Sequence, residues 1–397
     1  MHALIILHRI LSTSLPQIHA KRLASLLAAV EAVVTGSRLT LSDMGRGLAG
    51  SVAVKHNIKR IDRLLGNSAL HTEVPKLYEV LARQSLKGMS TPLIFIDWSD
   101  LTADRYWQLL RASVAIEGRS MTLYEQVHPQ SRATSPRVHK AFLAKLATML
   151  PTGCTPILIT DAGFRSAWFS LVNRMGWSWI GRIRNRDMIS PENEDIWAGC
   201  KTLYPLATSQ AKSLGQYNYV RQHPVSCRLV LIKHPHQKRH HKSRLGKRVR
   251  SSRSLKNARA QREPWLLAAS PKLNYQSANA IVAVYAQRMQ IEESFRDLKS
   301  EQFGLGFSSN RSVQKNRLGV LLPVASLALF VLRLIGEVGK ARQMEFKFQS
   351  NTRRSRPVLS VINLALQLVQ HGMAAFPPRE LNAVLERLRY DHPALQL

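Results

Sequence analysis

The chain has 397 residues, of which 45% are hydrophobic, so it can bury a large core in two or three domains and is not a disordered polypeptide. It carries 57 Lys and Arg residues against 25 Asp and Glu residues, which gives a formal net charge of +32 at pH 7. A folded protein with this charge is expected to bind a polyanion, and a nucleic acid fits better than an anionic membrane.

No segment is predicted to direct the chain to a membrane or out of the cell. Residues 1–11 are apolar but are interrupted by histidine and arginine, and no small-residue cleavage site follows them. Residues 318–335 form the longest apolar run, but Pro323 interrupts it, and we predict a buried core helix rather than a membrane span. The three cysteines form no CxxC pair, which argues against a disulfide framework or zinc site and favours a reducing cytoplasm. They are Cys154, Cys200 and Cys227.

Residues 1–88 are predicted to be helical throughout, because Leu, Ile and Ala recur with helical periodicity. Residues 55–65 predict a helix that ends at Gly66, with one apolar and one cationic face. The cationic residues are Lys55, Lys59, Arg60 and Arg63. Such a face is commonly only solvated, but a face of nearly one charge sign also favours phosphate contact, and both alternatives stay open. Our hypothesis is a helical N-terminal DNA-binding domain.

From about residue 92 the pattern changes to short apolar runs that are typical of buried strands. The predicted strands are residues 92–98, 106–116, 120–127, 156–163 and 177–183, with helices near residues 140–149 and 164–175. This order of three strands followed by alternating helices and strands predicts an α/β fold, with a mixed sheet covered by helices.

The chain then becomes strongly basic, with no acidic residue between Asp195 and Glu263. Residues 233–262 are predicted to be a flexible loop between short strands such as residues 227–232. Its histidines could suggest a metal site, but the basic surroundings favour a solvated, phosphate-binding loop. They are His234, His236, His240 and His241. A strand at residues 263–270 closes the segment, and the chain from about residue 318 is predicted to be helical.

Residues 284–299 are predicted to form one helix, because they contain no Gly or Pro and their apolar residues follow helical spacing. At about 100° per residue, four polar side chains fall on one half-buried stripe beside the apolar face. They are Tyr285, Arg288, Glu292 and Lys299, whereas Glu293 and Asp297 point elsewhere. Such a stripe is commonly a solvated face with weak ion pairs. The alternative is a phosphoryl-transfer site, in which the carboxylate ligates a metal ion and the other groups hold a phosphodiester.

Two further acids, Asp97 and Asp161, each end an apolar strand in the predicted fold. Either one alone is commonly a helix N-cap or a turn residue. An ionised carboxylate in an apolar setting is costly unless it is paired or metal-bound, so together with Glu292 they favour a three-carboxylate site for Mg²⁺ or Mn²⁺. Asp100 and Asp104 lie in the following loop and are weaker candidates.

These residues resemble the signature of the DDE transposases of bacterial insertion sequences. The two strand-end acids and the spacing Tyr285-x2-Arg288-x3-Glu292-x6-Lys299 are similar to those of the insertion-sequence-four family. Residues 55–66, 97–100 and 290–299 extend the similarity over most of the chain.

The resemblance implies an RNase H-like catalytic core of the retroviral-integrase type, interrupted by a β-rich insertion, with helical N-terminal and C-terminal domains. The implied divisions are residues 1–88 for the N-terminal DNA-binding domain, 89–185 and 264–345 for the two parts of the core, 186–263 for the basic insertion and 346–397 for the C-terminal region.

The resemblance also implies a Mg²⁺-dependent enzyme that moves DNA by a cut-and-paste route. Asp97, Asp161 and Glu292 would hold two Mg²⁺ ions, for which Mn²⁺ would substitute. The implied steps are nicking of the element's end, formation and opening of a hairpin, and strand transfer to target DNA.

Other residues would hold the DNA during these steps. Tyr285, Arg288 and Lys299 would bind phosphates near the cleaved end. Trp265 matches an indole that stacks on a flipped-out base, although such a tryptophan is more often a core residue. The implied partners are double-stranded DNA, as terminal inverted repeats and target, and a second copy of the chain in a synaptic homodimer, in the bacterial cytoplasm at the nucleoid.

Two alternatives remain open at this point. A metal-dependent nuclease of the same fold would cut DNA without joining it, and would give nicks without hairpin-ended products. A DNA-binding protein without chemistry is the other alternative, but the presence of all three acids argues against it.

Overall fold

The computed structural model describes residues 1–36, 38–116, 118–184, 187–235, 249, 251–252, 254–255, 262–353 and 355–390. The chain forms two compact units. Unit 1 comprises Met1–Cys154 and the described chain from Met289 onwards, and unit 2 comprises Thr155–Arg288. Most of the basic loop predicted at residues 233–262 lies outside the described residues, and so do His236, His240 and His241.

Unit 1 begins with five helices, in agreement with the helical periodicity of its sequence. They are α1 His2–Ser14, α2 Ala20–Val34, α3 Leu41–Gly47, α4 Val54–Leu65 and α5 Ser68–Ser85. Side chains cap three of them, because the first turn of a helix leaves backbone N–H groups without partners. Nδ1 of His19, before α2, accepts a hydrogen bond from the N–H of Lys21 at 3.2 Å. Thr40 accepts a hydrogen bond from the N–H of Asp43 at 3.1 Å, and Asn67 accepts one from the N–H of Leu70 at 2.8 Å. Gly66 follows the last residue of α4, as predicted.

Three antiparallel strands follow α5 in unit 1. They are β1 Leu93–Asp100, β2 Trp107–Ile116 and β3 Arg119–Pro129, and they lie in the order β3–β2–β1. The prediction that Asp97 ends its strand is wrong. Pairing with β2 continues as far as Asp100, which lies opposite Gln108, so β1 extends three residues beyond Asp97.

The core of unit 1 is built around one long helix, Lys315–Ala341. The remaining helices of the unit are α6 Pro136–Ala147, α9 Met289–Lys299, α10 Lys315–Ala341, α11 Val361–Gln370 and α12 Pro378–Tyr390. Helix α10 packs against α1, α2, α4 and α5, against β3, and against α11 and α12. By length and composition it could cross a membrane, but 89% of its most apolar window is buried inside the protein. The prediction of a buried core helix is confirmed.

Unit 2 combines a parallel strand pair with a larger antiparallel region. Helix α7 Ser166–Arg174 connects β4 Ile157–Thr160 to β5 Ser178–Ile183, and the two strands are parallel. The other strands are β6 Met188–Pro191, β7 Ala198–Gly199, β8 Lys212–Tyr219, β9 Val225–Ile232 and β10 Trp265–Ala269, followed by helix α8 Ala278–Ala286. The strand order is β4–β5–β10–β9–β8–β6–β7, so β10 returns to lie between β5 and β9.

The single helix predicted over residues 284–299 is wrong. Helix α8 ends at Ala286 and α9 begins at Met289, with a turn at Gln287 and Arg288. The N–H of Arg288 bonds to the carbonyl oxygen of Tyr285, three residues earlier, so the α-helical hydrogen-bond pattern is interrupted. Helix propensity is favourable throughout this stretch, so tertiary structure overrides it: α8 belongs to unit 2 and α9 to unit 1.

The predicted division of the chain by function does not coincide with the compact units. The units divide after Cys154 and after Arg288, whereas the predicted divisions fall near residues 88, 185, 263 and 345. The predicted domains therefore stay predictions about function.

Gly45 is expected to be essential to the packing of α3 on α4. A Cβ atom at this position would lie 2.6 Å from both Cα and Cγ1 of Ile58, and overpacking against backbone costs about 1–3 kcal/mol. We expect Gly45→Ala to lower the urea-unfolding midpoint. The matched control is Gly319→Ala in α10, where nothing lies within 4 Å of the added atom and helix propensity favours alanine by about 1 kcal/mol. A midpoint for Gly45→Ala equal to that of the wild type would contradict the close contact.

Candidate active site

Asp97 is a nearly buried carboxylate in unit 1. It lies in β1 with 8% of its surface exposed, and its Oδ1 accepts a hydrogen bond from the N–H of Trp98 at 2.8 Å. The strand register places it directly opposite Arg111 of β2. Opposed residues of antiparallel strands project from the same face, so the Arg111 guanidinium is a cation on the face that carries Asp97.

Glu292 lies near the start of α9, which packs against β1 and β3. The prediction that Glu292 is half-buried is wrong, because its side chain is exposed. Helix α9 turns Ile291 and Phe295 into the core, and Glu292 follows Ile291 by about 100°, which carries it out of the packed face. Asp297 points elsewhere, as predicted: it is buried and pairs with Arg119 at 2.8 Å.

Lys299, at the end of α9, is held against β1. Its Nζ donates hydrogen bonds to Oγ of Ser99 at 2.6 Å and to the carbonyl oxygen of Asp100. The pKa of Lys299 is lowered to about 8, mainly by burial and also by the positive charge of Arg111, while the carboxylates of Asp100 and Asp97 oppose the shift. The structure therefore brings Lys299 to the strand that carries Asp97.

The weaker candidates, Asp100 and Asp104, have local partners. Asp100 pairs with Arg105 at 3.4 Å. Asp104 accepts hydrogen bonds from Thr102 at 2.5 Å and from the N–H of Tyr106 at 3.0 Å. These contacts make Asp104 a turn residue, which agrees with its lower rank.

A second group of predicted residues lies together in unit 2. Asp161 directly follows β4, as predicted, and its Oδ1 accepts a hydrogen bond from the N–H of Gly163 at 2.8 Å. Tyr285 is buried in α8. Burial raises the pKa of Tyr285, the guanidinium groups of Arg288 and Arg182 lower it, and the Asp161 carboxylate raises it. The phenol therefore has two guanidinium groups and a carboxylate as neighbours.

Trp265 belongs to the same group. Its ring lies edge-on to Tyr285, with ring centroids 5.1 Å apart, and to His234, with centroids 4.3 Å apart. The indole is half-exposed and opens β10. Trp265 is therefore partly exposed, but its ring is held by contacts with two other rings.

Two charged residues near these groups were missed from the sequence. Arg182 in β5 donates from Nη2 to the carbonyl oxygens of Glu263 at 3.4 Å and Pro264 at 3.3 Å, next to Trp265. Arg111 in β2 is fully buried and pairs with Glu125 of β3 at 2.8 Å. In both cases, the position of a charged residue within an apolar strand could have identified it from the sequence.

Metal-binding capacity rests on carboxylate oxygens. Within the part of the chain that the structure describes, no group of three or more His, Cys, Asp or Glu residues is placed to hold a metal ion. Asp97 and Asp161 each accept a backbone hydrogen bond instead. Carboxylate oxygens are hard donors that suit Mg²⁺ and Mn²⁺, so the donor chemistry of the three predicted acids fits these ions.

The cationic face predicted for α4 is exposed to solvent. Its residues are Lys55, Lys59, Arg60 and Arg63. Arg60 donates to Oδ1 of the buried Asn57 at 3.2 Å, and Asp62 pairs with Arg317 at 2.6 Å. A role of this face in DNA binding stays a prediction.

The comparison with protein families identifies the class of protein. The family described as the transposase DDE domain matches residues 88–329, which is more than half of the 397-residue chain. The chain therefore belongs to the transposase DDE domain family. No match was found among curated proteins.

Membership explains the general properties of the molecule. It makes the protein a DDE transposase, an enzyme that acts on DNA. The net charge of +32 agrees with a polyanionic substrate. Domains of this family generally use divalent metal ions.

DNA binding by the metal-free protein is expected to weaken as the pH rises from 7 to 9, partly through Lys299. Its pKa of about 8 means that the ammonium is present below that pH and is lost above it, whereas an arginine stays charged. The ratio of Kd at pH 9 to Kd at pH 7 should be about three- to tenfold larger for the wild type than for Lys299→Arg.

Fluorescence anisotropy of a labelled duplex at constant ionic strength measures this ratio. Lys87→Arg, at an exposed position of the same unit, is the matched control and should keep the wild-type ratio. Equal ratios for the wild type and Lys299→Arg would show that Lys299 does not contribute.

Proposed function

We propose that the protein is a cut-and-paste transposase of the insertion-sequence-four family, similar to the cut-and-paste transposase of the composite tetracycline-resistance transposon. The observation that carries this proposal is the DDE-domain match over residues 88–329, a span that contains Asp97, Asp161 and Glu292. The Tyr-Arg-Glu-Lys spacing from Tyr285 to Lys299 supports the finer family.

An RNase H-like catalytic core is part of the proposal. It is supported by the antiparallel meander β1–β2–β3 in unit 1 and by the parallel β4–α7–β5 connection in unit 2. Strands β6 to β9 lie between β5 and β10 in sequence and would form the β-rich insertion. The helices at both ends of the chain would form the flanking domains.

The three acids would hold two Mg²⁺ ions, with Mn²⁺ as a substitute. Paired divalent ions supply activation of the attacking oxygen and stabilisation of the leaving oxygen in phosphoryl transfer. The support for Asp97 is its near-complete burial, because an ionised carboxylate in that setting requires compensating positive charge.

The reaction would proceed by successive phosphoryl transfers. Water attacks the phosphodiester at the element's end, breaks the bond to the 3′ oxygen and releases a 3′-hydroxyl on the element. That hydroxyl attacks the opposite strand, which forms a hairpin and releases the flanking DNA. A second water opens the hairpin, and the regenerated 3′-hydroxyl attacks a phosphodiester of the target DNA.

Tyr285, Arg288 and Lys299 would hold phosphates near the cleaved end. Burial raises the pKa of Tyr285, so its phenol stays neutral at pH 7 and can donate a hydrogen bond to a phosphate oxygen. Arg288 and Lys299 would contribute positive charge.

The proposed partners are the terminal inverted repeats, the target DNA and a second copy of the chain. The cationic face of α4 would bind the repeats. A synaptic homodimer would bring two ends together, and the enzyme would act in the bacterial cytoplasm at the nucleoid.

Asp97→Asn, Asp161→Asn and Glu292→Gln are each expected to lower end cleavage in Mg²⁺ by at least about 10³-fold, because each removes one charge from the proposed ion site. Affinity for the element's end should stay within about threefold. Cleavage is measured on a labelled end duplex in gels, and binding by anisotropy.

The matched controls are Asp104→Asn in the exposed turn and Glu293→Gln beside Glu292, and both should cleave at nearly the wild-type rate. Residual Mg²⁺-dependent cutting by a triad variant would overturn the assignment of that residue. Wild-type products that contain nicks but no hairpin would favour a nuclease over a transposase.

Trp265→Ala is expected to reduce hairpin formation by about tenfold or more while the first nick is retained, because stacking of a base on an aromatic ring is worth about 1–3 kcal/mol. Trp265→Phe should keep most of the hairpin yield. Trp197→Ala, in the same unit, is the matched control and should behave as the wild type. Equal loss of nicking and hairpin formation in Trp265→Ala would contradict a role in base stacking.

A further inference from the structure

We propose that Arg111, together with Glu125, is a positioning residue that fixes the strand of Asp97 relative to the helix of Glu292. The proposal rests on the proposed function, in which both acids belong to the catalytic site. All the contacts that carry it lie within unit 1.

The first link joins the two residues to Asp97. The register pairs Asp97 with Arg111 and Arg111 with Glu125, so the three side chains form a row on one face of β1, β2 and β3. Nε of Arg111 lies 2.8 Å from Oε2 of Glu125, and neither side chain is exposed to solvent. The row alternates negative, positive and negative charge.

The second link joins Arg111 to the helix that carries Glu292. Nη1 of Arg111 donates to Oγ of Ser294 at 3.1 Å, and its guanidinium lies 4.8 Å from the centroid of the Phe295 ring. Ser294 in turn donates to the carbonyl oxygen of Ile291 at 2.8 Å. These contacts flank Glu292, so Arg111 holds the first turns of α9 on the buried side while Glu292 projects to the exposed side.

The third link anchors Glu125 in the core. Its Oε1 accepts hydrogen bonds from the hydroxyl of Tyr78 in α5 and from Oγ of Ser326 in α10, both at 2.9 Å. Burial and the neighbouring Glu125 carboxylate raise the pKa of Tyr78, which keeps its hydroxyl protonated as a donor. The carboxylate is thus fixed from two helices, and it fixes Arg111 in turn.

Stability alone gives a weak reason for such a pair. Apolar side chains of similar volume often stabilise a core as well as a buried ion pair does, because both charges must be stripped of water. Nη2 of Arg111 is buried with no hydrogen-bond partner among the described residues, so the network is not arranged for the greatest stability. The planar guanidinium of Arg111 instead fixes the position of α9 relative to β2.

The test replaces the pair by neutral side chains of similar shape, Arg111→Met with Glu125→Gln. Glutamine keeps an acceptor for Tyr78 and Ser326. We expect cleavage of the end duplex in Mg²⁺ to fall at least about 100-fold, while end affinity stays within about threefold and the thermal midpoint is nearly retained. The matched control makes the same changes, Arg342→Met with Glu380→Gln, in an ion pair near the surface of the same unit. It should leave cleavage unchanged.

A single substitution tests the proposal even if the double variant does not fold. Ser294→Ala removes one link and leaves the ion pair in place, so we expect cleavage to fall about tenfold with wild-type binding and melting. Ser294→Thr keeps the hydroxyl and should restore cleavage. Wild-type cleavage by Ser294→Ala, or by the folded double variant, would overturn the proposal.

Amide hydrogen exchange does not depend on catalytic activity, so it tests this proposal separately from the proposed function. In the metal-free protein, amide hydrogen exchange in α9 should become faster in the double variant and in Ser294→Ala, while exchange in α4 stays unchanged. Unchanged exchange in α9 would overturn the positioning role. Absence of cleavage by the wild type would instead overturn the proposed function, and the exchange result would still decide the role of Arg111.

Discussion

Unit 1 depends on the burial of one apolar helix. Helix α10 contacts helices that come from the first 85 residues, strand β3, and the helices that follow it. Burial of apolar surface is the main favourable term in folding, and here a single element supplies it to parts of the chain that are far apart in sequence. The polar network around Glu125 is attached to this core through Ser326 of α10. The row of side chains that includes Asp97 is therefore anchored to the hydrophobic core through α10.

Three buried acidic residues of this basic protein are paired with arginines. Glu125 pairs with Arg111, Asp297 with Arg119, and Glu337 with Arg333 and Arg387. Each of these carboxylates is nearly inaccessible to solvent, and each partner is an arginine, whose planar donors suit a buried carboxylate better than an ammonium does. The excess of 57 Lys and Arg over 25 Asp and Glu makes the protein strongly positive, which suits a protein whose substrate is DNA.

Periodicity predicted most of the elements but not their limits or their charged interior. Apolar runs indicated β1 to β5, β9, β10 and the core helix α10, because burial imposes a pattern on each of them. Strands β6, β7 and β8 were missed because they are short or polar; β8 has only one buried residue, Tyr219.

The errors at the candidate site have a common cause. The end of β1 is set by pairing with β2, and the exposure of Glu292 is set by which side of α9 meets the strands; neither is encoded locally. The break after Ala286 coincides with the division into units and is not predicted by helix propensity. By contrast, the residue types of the site and their spacing were visible in the sequence, and this is why the class of enzyme could be inferred before its geometry.

The discontinuity of unit 1 has a consequence for how the molecule is made. Unit 2 is one continuous segment, whereas unit 1 needs both the first 154 residues and the chain from Met289 onwards. During synthesis, helices α1 to α5 emerge from the ribosome long before α10, the helix on which they pack. The chain of unit 2 is synthesised in between. The strand of Asp97 and the helix of Glu292 can therefore meet only after the intervening chain of unit 2 has been synthesised.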